Sequence, residues 1–115
     1  MTETYQRVTR YEISVFPDEM LRDEFAAMDS SSWVLTVEDR GMCRWAVLRG
    51  RWCLGTDGEW DREPSPSSRE DDWLETHRFD LGTALRLAAE QAPNVRINGL
   101  TALDILAKHR PGGAA

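Results

Sequence analysis

The sequence predicts an α+β fold, in which an antiparallel sheet of four to five strands packs against helices and the C-terminal third is helical. Two patterns carry this prediction. Between residues 11 and 63, runs of alternating apolar and polar residues are separated by turn signals such as Asp57-Gly58, which is typical of antiparallel strands. From Leu81 to Ala92, apolar residues recur at helical spacing and form one stripe. A sheet therefore precedes a helical segment along the chain.

Length and charge narrow the class of protein. The 115 residues suffice for one hydrophobic core, and we expect a single globular domain over residues 1–110 with a frayed tail over 111–115. The formal net charge is -6, which argues against a free-standing nucleic-acid binder, because most such proteins are basic. No secretory signal or membrane span is apparent, and two cysteines suit a reducing compartment. We therefore expect a cytoplasmic protein.

The first third of the chain predicts two strands around a helix. Apolar residues alternate from Tyr11 to Val15 and again from Trp33 to Val37, which indicates two half-buried strands. Between them, Pro17 followed by Asp18 suits the first turn of a helix. The apolar positions of this helix recur as far as Met28.

The middle of the chain predicts three consecutive antiparallel strands, over residues 42–49, 51–56 and 59–63. A two-residue turn around Gly50 joins the first pair. Asp57-Gly58 joins the second pair, and this dipeptide favours a type I′ turn.

An even-length turn at Gly50 fixes by parity which side chains share a face. Cys43 and Cys53 then point to opposite faces and cannot form a disulfide, so we predict two free thiols. We expect the apolar face to be buried, with Trp45, Val47, Trp52 and Leu54 inside. That face carries Cys43, Trp45, Val47, Trp52 and Leu54, and the other carries Arg44, Ala46, Leu48, Arg51 and Cys53.

The last third of the chain predicts helices. A short helix is expected over residues 70–77, after a Pro- and Ser-rich loop. Asp80 is a suitable N-cap for the helix that carries the apolar stripe. Thr101 and Asp104 form a capping-box pattern for a final helix, in which we expect Leu103 and Leu106 to face inward.

No catalytic or metal-binding pattern stands out. A zinc site needs about four ligands at close spacing, which two cysteines, His77 and His109 do not supply. The acidic residues that follow Asp57 lack the glycine and the glutamate that a calcium loop requires. His77 with a neighbouring serine lacks the glycines of a nucleophile elbow. We therefore expect a non-enzymatic protein with no catalytic residue, no metal and no cofactor.

The segment from Asp57 to Asp72 is the candidate surface for a protein partner. It contains seven acidic residues and two arginines. We expect Asp57, Asp71 and Asp72 to dock a partner with a basic surface, with Trp60 as an apolar anchor, because a buried tryptophan commonly supplies much of the affinity at an interface. The partner's identity and the oligomeric state stay open.

Two alternative functions remain at this stage. The basic patch from Arg40 to Arg51 contains the candidate contacts Arg44, Arg49 and Arg51 among tryptophans. Arginine next to an aromatic ring can hold phosphate or stack on a base. The first alternative is therefore a small nucleic-acid-associated regulator. The second alternative is an enzyme subunit whose site a partner completes.

Three segments, residues 51–60, 66–73 and 98–102, resemble small uncharacterised proteins of actinobacteria and their phages. The resemblance covers roughly the C-terminal two thirds of the chain. It brings no assigned activity. The regulatory role that we expect is that of an accessory factor of a phage or mobile element.

Overall fold

The computed structural model describes residues 2–23 and 33–109. It contains one five-stranded antiparallel sheet, with the strands in chain order from β1 to β5, and a separate two-stranded hairpin, β6–β7. The α+β class predicted from the sequence is confirmed. The strands are β1 Arg10–Ile13, β2 Leu35–Asp39, β3 Trp45–Arg49, β4 Trp52–Leu54, β5 Trp60–Arg62, β6 Arg96–Ile97 and β7 Leu100–Thr101, and the helices are α1 Asp18–Asp23, α2 Asp71–Thr76, α3 Leu81–Gln91 and α4 Ala102–His109.

The turn between β3 and β4 has two residues, Gly50 and Arg51. Arg49 pairs with Trp52 and Leu48 with Cys53. Gly50 has a φ of +59° at the first central position of the turn, the position that a type II′ hairpin gives to glycine. The predicted parity of the two strands is therefore confirmed.

One face of the five-stranded sheet, which we call the helix-covered face, holds the main core. Leu35, Val37, Val47 and Leu54 lie on it and are almost completely buried. Helices α1, α3 and α4 cover this face, because the same cluster includes apolar side chains from each of them. The helical contributions to the cluster are Met20, Ala84, Ala88, Ala102 and Ile105.

The two predicted helix caps are present. The Oδ1 atom of Asp80 accepts a hydrogen bond from the Thr83 amide at 2.9 Å, and Thr101 and Asp104 exchange hydrogen bonds at 2.9 and 3.2 Å. These amide and hydroxyl donors lower the pKa of both aspartates below the usual carboxyl value. The caps fix where α3 and α4 begin.

Two turns differ from their prediction. Met42 and Cys43 have positive φ values of 54° and 62°, so they form a loop and β3 begins only at Trp45. The β4–β5 connection is a three-residue loop in which Gly58 has positive φ, and Gly55 pairs with Glu59 across it. This is the form with a type I turn followed by a left-handed glycine, and the predicted type I′ turn is wrong.

The C-terminal third is less helical than predicted. Asn98 and Gly99 both have positive φ, 52° and 82°, and they join β6 to β7 in a hairpin between the last two helices. In α4, Ala102 and Ile105 are buried, whereas Leu103 is 50% exposed. Leu106 packs against the core as predicted, but the expectation that Leu103 faces inward is wrong.

Trp52 is the clearest exception to the predicted core. It lies on the helix-covered face, as its parity requires, yet 50% of it is exposed. Trp45 is buried, with its ring centroid 5.9 Å from that of Tyr11. The helices therefore cover the Trp45 end of the hairpin and leave its turn end open.

Two expectations fall partly or wholly outside the described residues, namely the continuation of α1 to Met28 and the frayed tail over 111–115.

Both cysteines are free, as predicted. Cys43 is exposed and Cys53 is buried. Across residues 2–23 and 33–109, no helix has both the length and the apolar character needed to cross a bilayer.

Leu54→Ala should lower the free energy of unfolding by about 2–5 kcal/mol, because Leu54 is only 1% exposed and its truncation leaves a cavity. Urea titration monitored by tryptophan fluorescence measures the change. Leu103→Ala is the matched control, and its half-exposed side chain should cost no more than about 0.5 kcal/mol. Equal losses in the two variants would contradict the location of the core.

Candidate functional site

The opposite face of the sheet, which we call the polar face, carries charged residues at buried positions. Cys53 pairs with Asp61 in the β4–β5 ladder, so both side chains lie on this face. The amide of Glu63 bonds to the carbonyl oxygen of Arg51 at 3.0 Å. This bond extends the ladder by one residue pair and places Glu63 on the same face as Asp61.

The segment after β5 crosses the polar face and covers it. It contains a short 3₁₀ turn, Pro66–Ser68, followed by α2. Trp73 of α2 packs against Ala46, Leu48 and Cys53, the small apolar cluster of this face. The two sides of the sheet are therefore covered by different parts of the chain.

Glu63 binds three arginines. Its carboxylate lies 3.1 Å from Arg40, 3.3 Å from Arg69 and 3.0 Å from Arg78. The side chain of Arg78 is only 3% exposed and that of Glu63 12% exposed. Charges this deeply buried are stable only when they are paired and hydrogen-bonded, so this arginine cluster fixes the crossing segment to the sheet.

Arg78 reaches the cluster because the next residue, Phe79, extends the sheet. Phe79 exchanges backbone hydrogen bonds of 2.7 and 2.9 Å with Trp45. Phe79 is part of the main core, and alternation along an extended chain directs Arg78 to the polar face. One Arg78 nitrogen also donates to the carbonyl of His77 at 2.8 Å.

His77 is buried beside this cluster, and both of its ring nitrogens have partners. Nε2 lies 2.9 Å from Asp61, and Nδ1 lies 2.9 Å from the carbonyl oxygen of Trp73 and 2.8 Å from the Thr76 hydroxyl. The imidazole stacks on the Trp73 ring at 3.5 Å. Gly55 makes room for it, because a Cβ atom there would lie 3.2 Å from Nε2. These contacts hold His77 in one position.

Cys53 lies under the same layer. Burial raises the pKa of its thiol from 9.0 to about 11, although the Arg78 guanidinium, 3.7 Å from the sulfur, acts in the opposite direction. At neutral pH the sulfur is therefore a protonated thiol, and a thiol is a poor nucleophile compared with a thiolate.

A second feature lies on the helix-covered face, where the helices leave the sheet open. Arg49, Trp52 and Trp60 line an open cleft of about 270 Å³. Trp52 and Trp60 are diagonal neighbours on adjacent strands, a spacing that aromatic side chains can bridge. The Arg49 guanidinium also donates to the carbonyl oxygen of Arg96 at 3.2 Å. We call this feature the tryptophan cleft.

Arg62 extends the tryptophan cleft toward the edge of the sheet. Trp52 pairs with Arg49 on one side and with Arg62 on the other, so the three residues form a row across β3, β4 and β5. Arg62 is exposed. An exposed indole between two guanidinium groups can bind a planar or apolar group together with a negative charge.

The acidic residues predicted to bind a partner are not beside Trp60. Asp71 and Asp72 occupy the exposed first turn of α2, on the polar-face side. Asp57 is exposed in the β4–β5 loop, and its carboxylate accepts from the Glu59 amide at 2.9 Å. Trp60 pairs with Leu54 and points to the helix-covered face. A partner that used all four residues would have to wrap around β5.

The arginines predicted to bind nucleic acid are also divided. Arg49, at the C-terminal end of β3, pairs with Trp52 on the helix-covered face. Arg51, in the turn that follows, lies opposite Glu63 and so has the parity of the polar face. Arg44 precedes β3 at its other end, so roughly 16 Å of strand separates it from Arg49. The structure therefore brings one of the three predicted arginines, Arg49, to the tryptophan cleft.

Sequence reasoning missed the arginine cluster and the contribution of Arg62. Arg40, Arg69 and Arg78 converge on Glu63 from three separate segments, and no local spacing connects them. The position of Arg62 could have been predicted from the sequence, because the strand parity that places Trp60 on the helix-covered face also places Arg62 there.

Comparisons of the chain with protein-family models, curated proteins and solved structures find no match. Within residues 2–23 and 33–109, no three or more His, Cys, Asp or Glu side chains gather in a group that could hold a metal ion. The tryptophan cleft and the polar face are two candidate sites in the described part of the chain.

Glu63→Gln should lower the free energy of unfolding by about 3–5 kcal/mol, because it leaves three neighbouring guanidinium groups without their shared carboxylate. Glu59→Gln, an exposed neighbour with the same change of charge, is the control and should cost no more than about 0.5 kcal/mol. Urea denaturation of both variants measures this. A loss below about 1 kcal/mol for Glu63→Gln would show that the cluster contributes little.

The raised pKa of the Cys53 thiol predicts that the protein loses stability at alkaline pH. Its pKa is raised in the folded state, so the unfolded chain releases the proton first. The contribution of the protonated thiol to the free energy of unfolding is complete below pH 9. It falls by about 2–3 kcal/mol as the pH approaches 11. Urea denaturation of the parent and of Cys53→Ala between pH 8 and 11 isolates this effect as the difference between the two curves. Parallel curves would contradict it.

Proposed function

We propose that this chain is a non-enzymatic interaction or regulatory protein and that it binds a protein partner through the tryptophan cleft. The observation that carries the proposal is the half-exposed Trp52, which lies on the same face of the sheet as the buried Leu35, Val37, Val47 and Leu54. Tryptophan and arginine are the residue types most enriched where interfaces have their strongest contacts. Here they occur together, beside a partly covered Trp60.

The polar face supports the non-enzymatic part of the proposal. Both ring nitrogens of His77 are occupied by neighbouring groups, and the thiol of Cys53 is buried with a raised pKa. A general base needs a free lone pair near its substrate, and a cysteine nucleophile needs a lowered pKa. His77 and Cys53 therefore belong, with the arginine cluster, to a buried layer that stabilises the fold.

The tryptophan cleft is favoured over the acidic surface as the partner site. Asp57, Asp71 and Asp72 are exposed, but Trp60, the expected anchor, lies on the other face of the sheet. Exposed charges alone contribute mainly to the rate of association, whereas a desolvated aromatic ring contributes to affinity. In this proposal Asp57, Asp71 and Asp72 have a secondary role, which is to speed the association with the partner.

Binding of single-stranded nucleic acid is the second candidate function, and the row of Arg49, Trp52 and Arg62 favours it. A base can stack on the indole while the guanidinium groups hold phosphates. The net charge of -6 opposes this function. The resemblance to actinobacterial and phage proteins fits an accessory factor of either kind.

Immobilised parent protein should capture a partner from a bacterial lysate, and Trp52→Ala should lose it. Truncation of a hot-spot tryptophan weakens binding by about 2 kcal/mol or more. Leu103→Ala, which removes an equally exposed apolar side chain elsewhere, is the control and should retain the partner. Quantitative mass spectrometry compares the three baits.

Equal recovery of every protein by Trp52→Ala and by the parent would contradict this use of the cleft. Filter binding to an oligothymidylate, with a salt titration, tests the second candidate. Tight binding that weakens steeply with salt would favour nucleic acid over a protein partner.

A further inference from the structure

We propose that the partner segment is an extended peptide that adds to the sheet as a sixth strand beside β5, with an acidic residue and an apolar residue two positions apart. This inference rests on the proposed protein-binding function of the tryptophan cleft and names the kind of ligand that it takes. Strand addition to an open sheet edge is a common mode of peptide recognition.

The hydrogen-bond pattern leaves one side of β5 open. Glu59 and Glu63 bond to Gly55 and Arg51 in the β4–β5 ladder, so the alternate residues 59, 61 and 63 direct their backbone groups toward β4. Trp60 and Arg62 lie between them, so their amide and carbonyl groups point away from β4. In the described part of the chain β5 pairs with β4 alone. The backbone amide and carbonyl groups of Trp60 and Arg62 are therefore oriented to bind a peptide strand.

The side chains along this edge set the sequence of the peptide. Trp60 and Arg62 both point to the helix-covered face, so peptide residues opposite them would point to that face as well. One would lie next to Arg62 and the other next to the tryptophan cleft. The peptide residue between them would point to the polar face, toward Asp61. These positions favour the order acidic, neutral polar, apolar.

Charge supports an acidic rather than a basic peptide. No carboxylate pairs with the exposed Arg62 in the part of the chain that the structure describes. Arg49 lies nearby on the other side of Trp52. An acidic side chain opposite Arg62 would gain a charged neighbour, and directly opposed unlike charges stabilise a strand pair.

A second copy of this chain fits the same edge poorly. Two β5 strands pairing antiparallel through Trp60 and Arg62 would place Asp61 directly opposite its counterpart. Like charges at directly opposed positions destabilise a strand pair. Asp61 is also committed to His77 at 2.9 Å within its own chain. The edge therefore suits a different molecule.

The experiment uses fluorescein-labelled nine-residue peptides and fluorescence anisotropy with the full chain. The test peptide has threonine at odd positions, with glutamate and valine alternating at the even ones. One control peptide has lysine in place of each glutamate, and another is methylated on alternate backbone amides, which removes donors that a new strand needs. We expect the acidic peptide to bind at least tenfold more tightly than either control.

A charge reversal gives the sharper test. Arg62→Glu should weaken binding of the acidic peptide at least tenfold and strengthen binding of the lysine peptide. Arg10→Glu changes the net charge equally at β1, the other edge of the same sheet, and should alter neither. Reversed preference in Arg62→Glu alone would place the ligand beside β5.

The outcomes separate this inference from the proposed function. Equal binding of the methylated peptide would overturn strand addition, even if Trp52→Ala still loses its protein partner. Equal effects of Arg62→Glu and Arg10→Glu would overturn the location at β5. If no peptide binds but Trp52→Ala still loses its protein partner, only the inference fails. If oligothymidylate binds and no captured protein depends on Trp52, the proposed protein-binding function fails as well. Sedimentation of the free chain as a dimer that Arg62→Glu dissociates would assign the edge to a second copy.

Discussion

The two-residue turn between β3 and β4 is the constraint on which the rest of the structure depends. By pairing Arg49 with Trp52, it decides the face of every residue that follows in the sheet. Trp52 and Trp60 go to the helix-covered face, and Cys53, like Asp61, goes to the other. A slip of one residue would reverse all of them and bury the charges of β5 in the apolar core. The separation of a tryptophan cleft from a polar layer is thus one consequence of a single register.

The polar layer makes this division stable. A sheet whose second face bears Asp61 and Glu63 cannot be covered by an apolar helix alone, because a buried carboxylate needs charged or hydrogen-bonding partners. The crossing segment supplies Arg69 and Arg78, and the β2–β3 loop supplies Arg40. Trp73 packs on the apolar residues beneath the layer, Ala46, Leu48 and Cys53. Glu63 fixes the crossing segment to the polar face of the sheet.

Local pattern was enough to predict the fold class, the hairpin register, the two helix caps and the free thiols, since each depends on residues close in sequence. It failed where distant elements meet. Parity placed Trp52 correctly on its face, but only the reach of the helices decides that it stays half exposed. The β6–β7 hairpin depends on an Asn98-Gly99 turn only two residues after β6 begins, too short a pattern to oppose the helical signals around it. The site was half predicted: Trp60 and Arg49 were named as binding residues, but their meeting with Trp52 and Arg62 depends on pairing across three strands.

The central claim is that β5 is an open edge next to the tryptophan cleft, and amide hydrogen exchange measured by NMR tests it most directly. In the free protein, the amides of Trp60 and Arg62 should exchange at rates close to those of an unprotected chain. The amides of Gly55 and Glu63, which bond within the ladder at 2.9 and 3.0 Å, should be strongly protected. Protection of Trp60 and Arg62 as strong as that of Glu63 in the free monomer would show that this edge is already occupied, and would contradict the account.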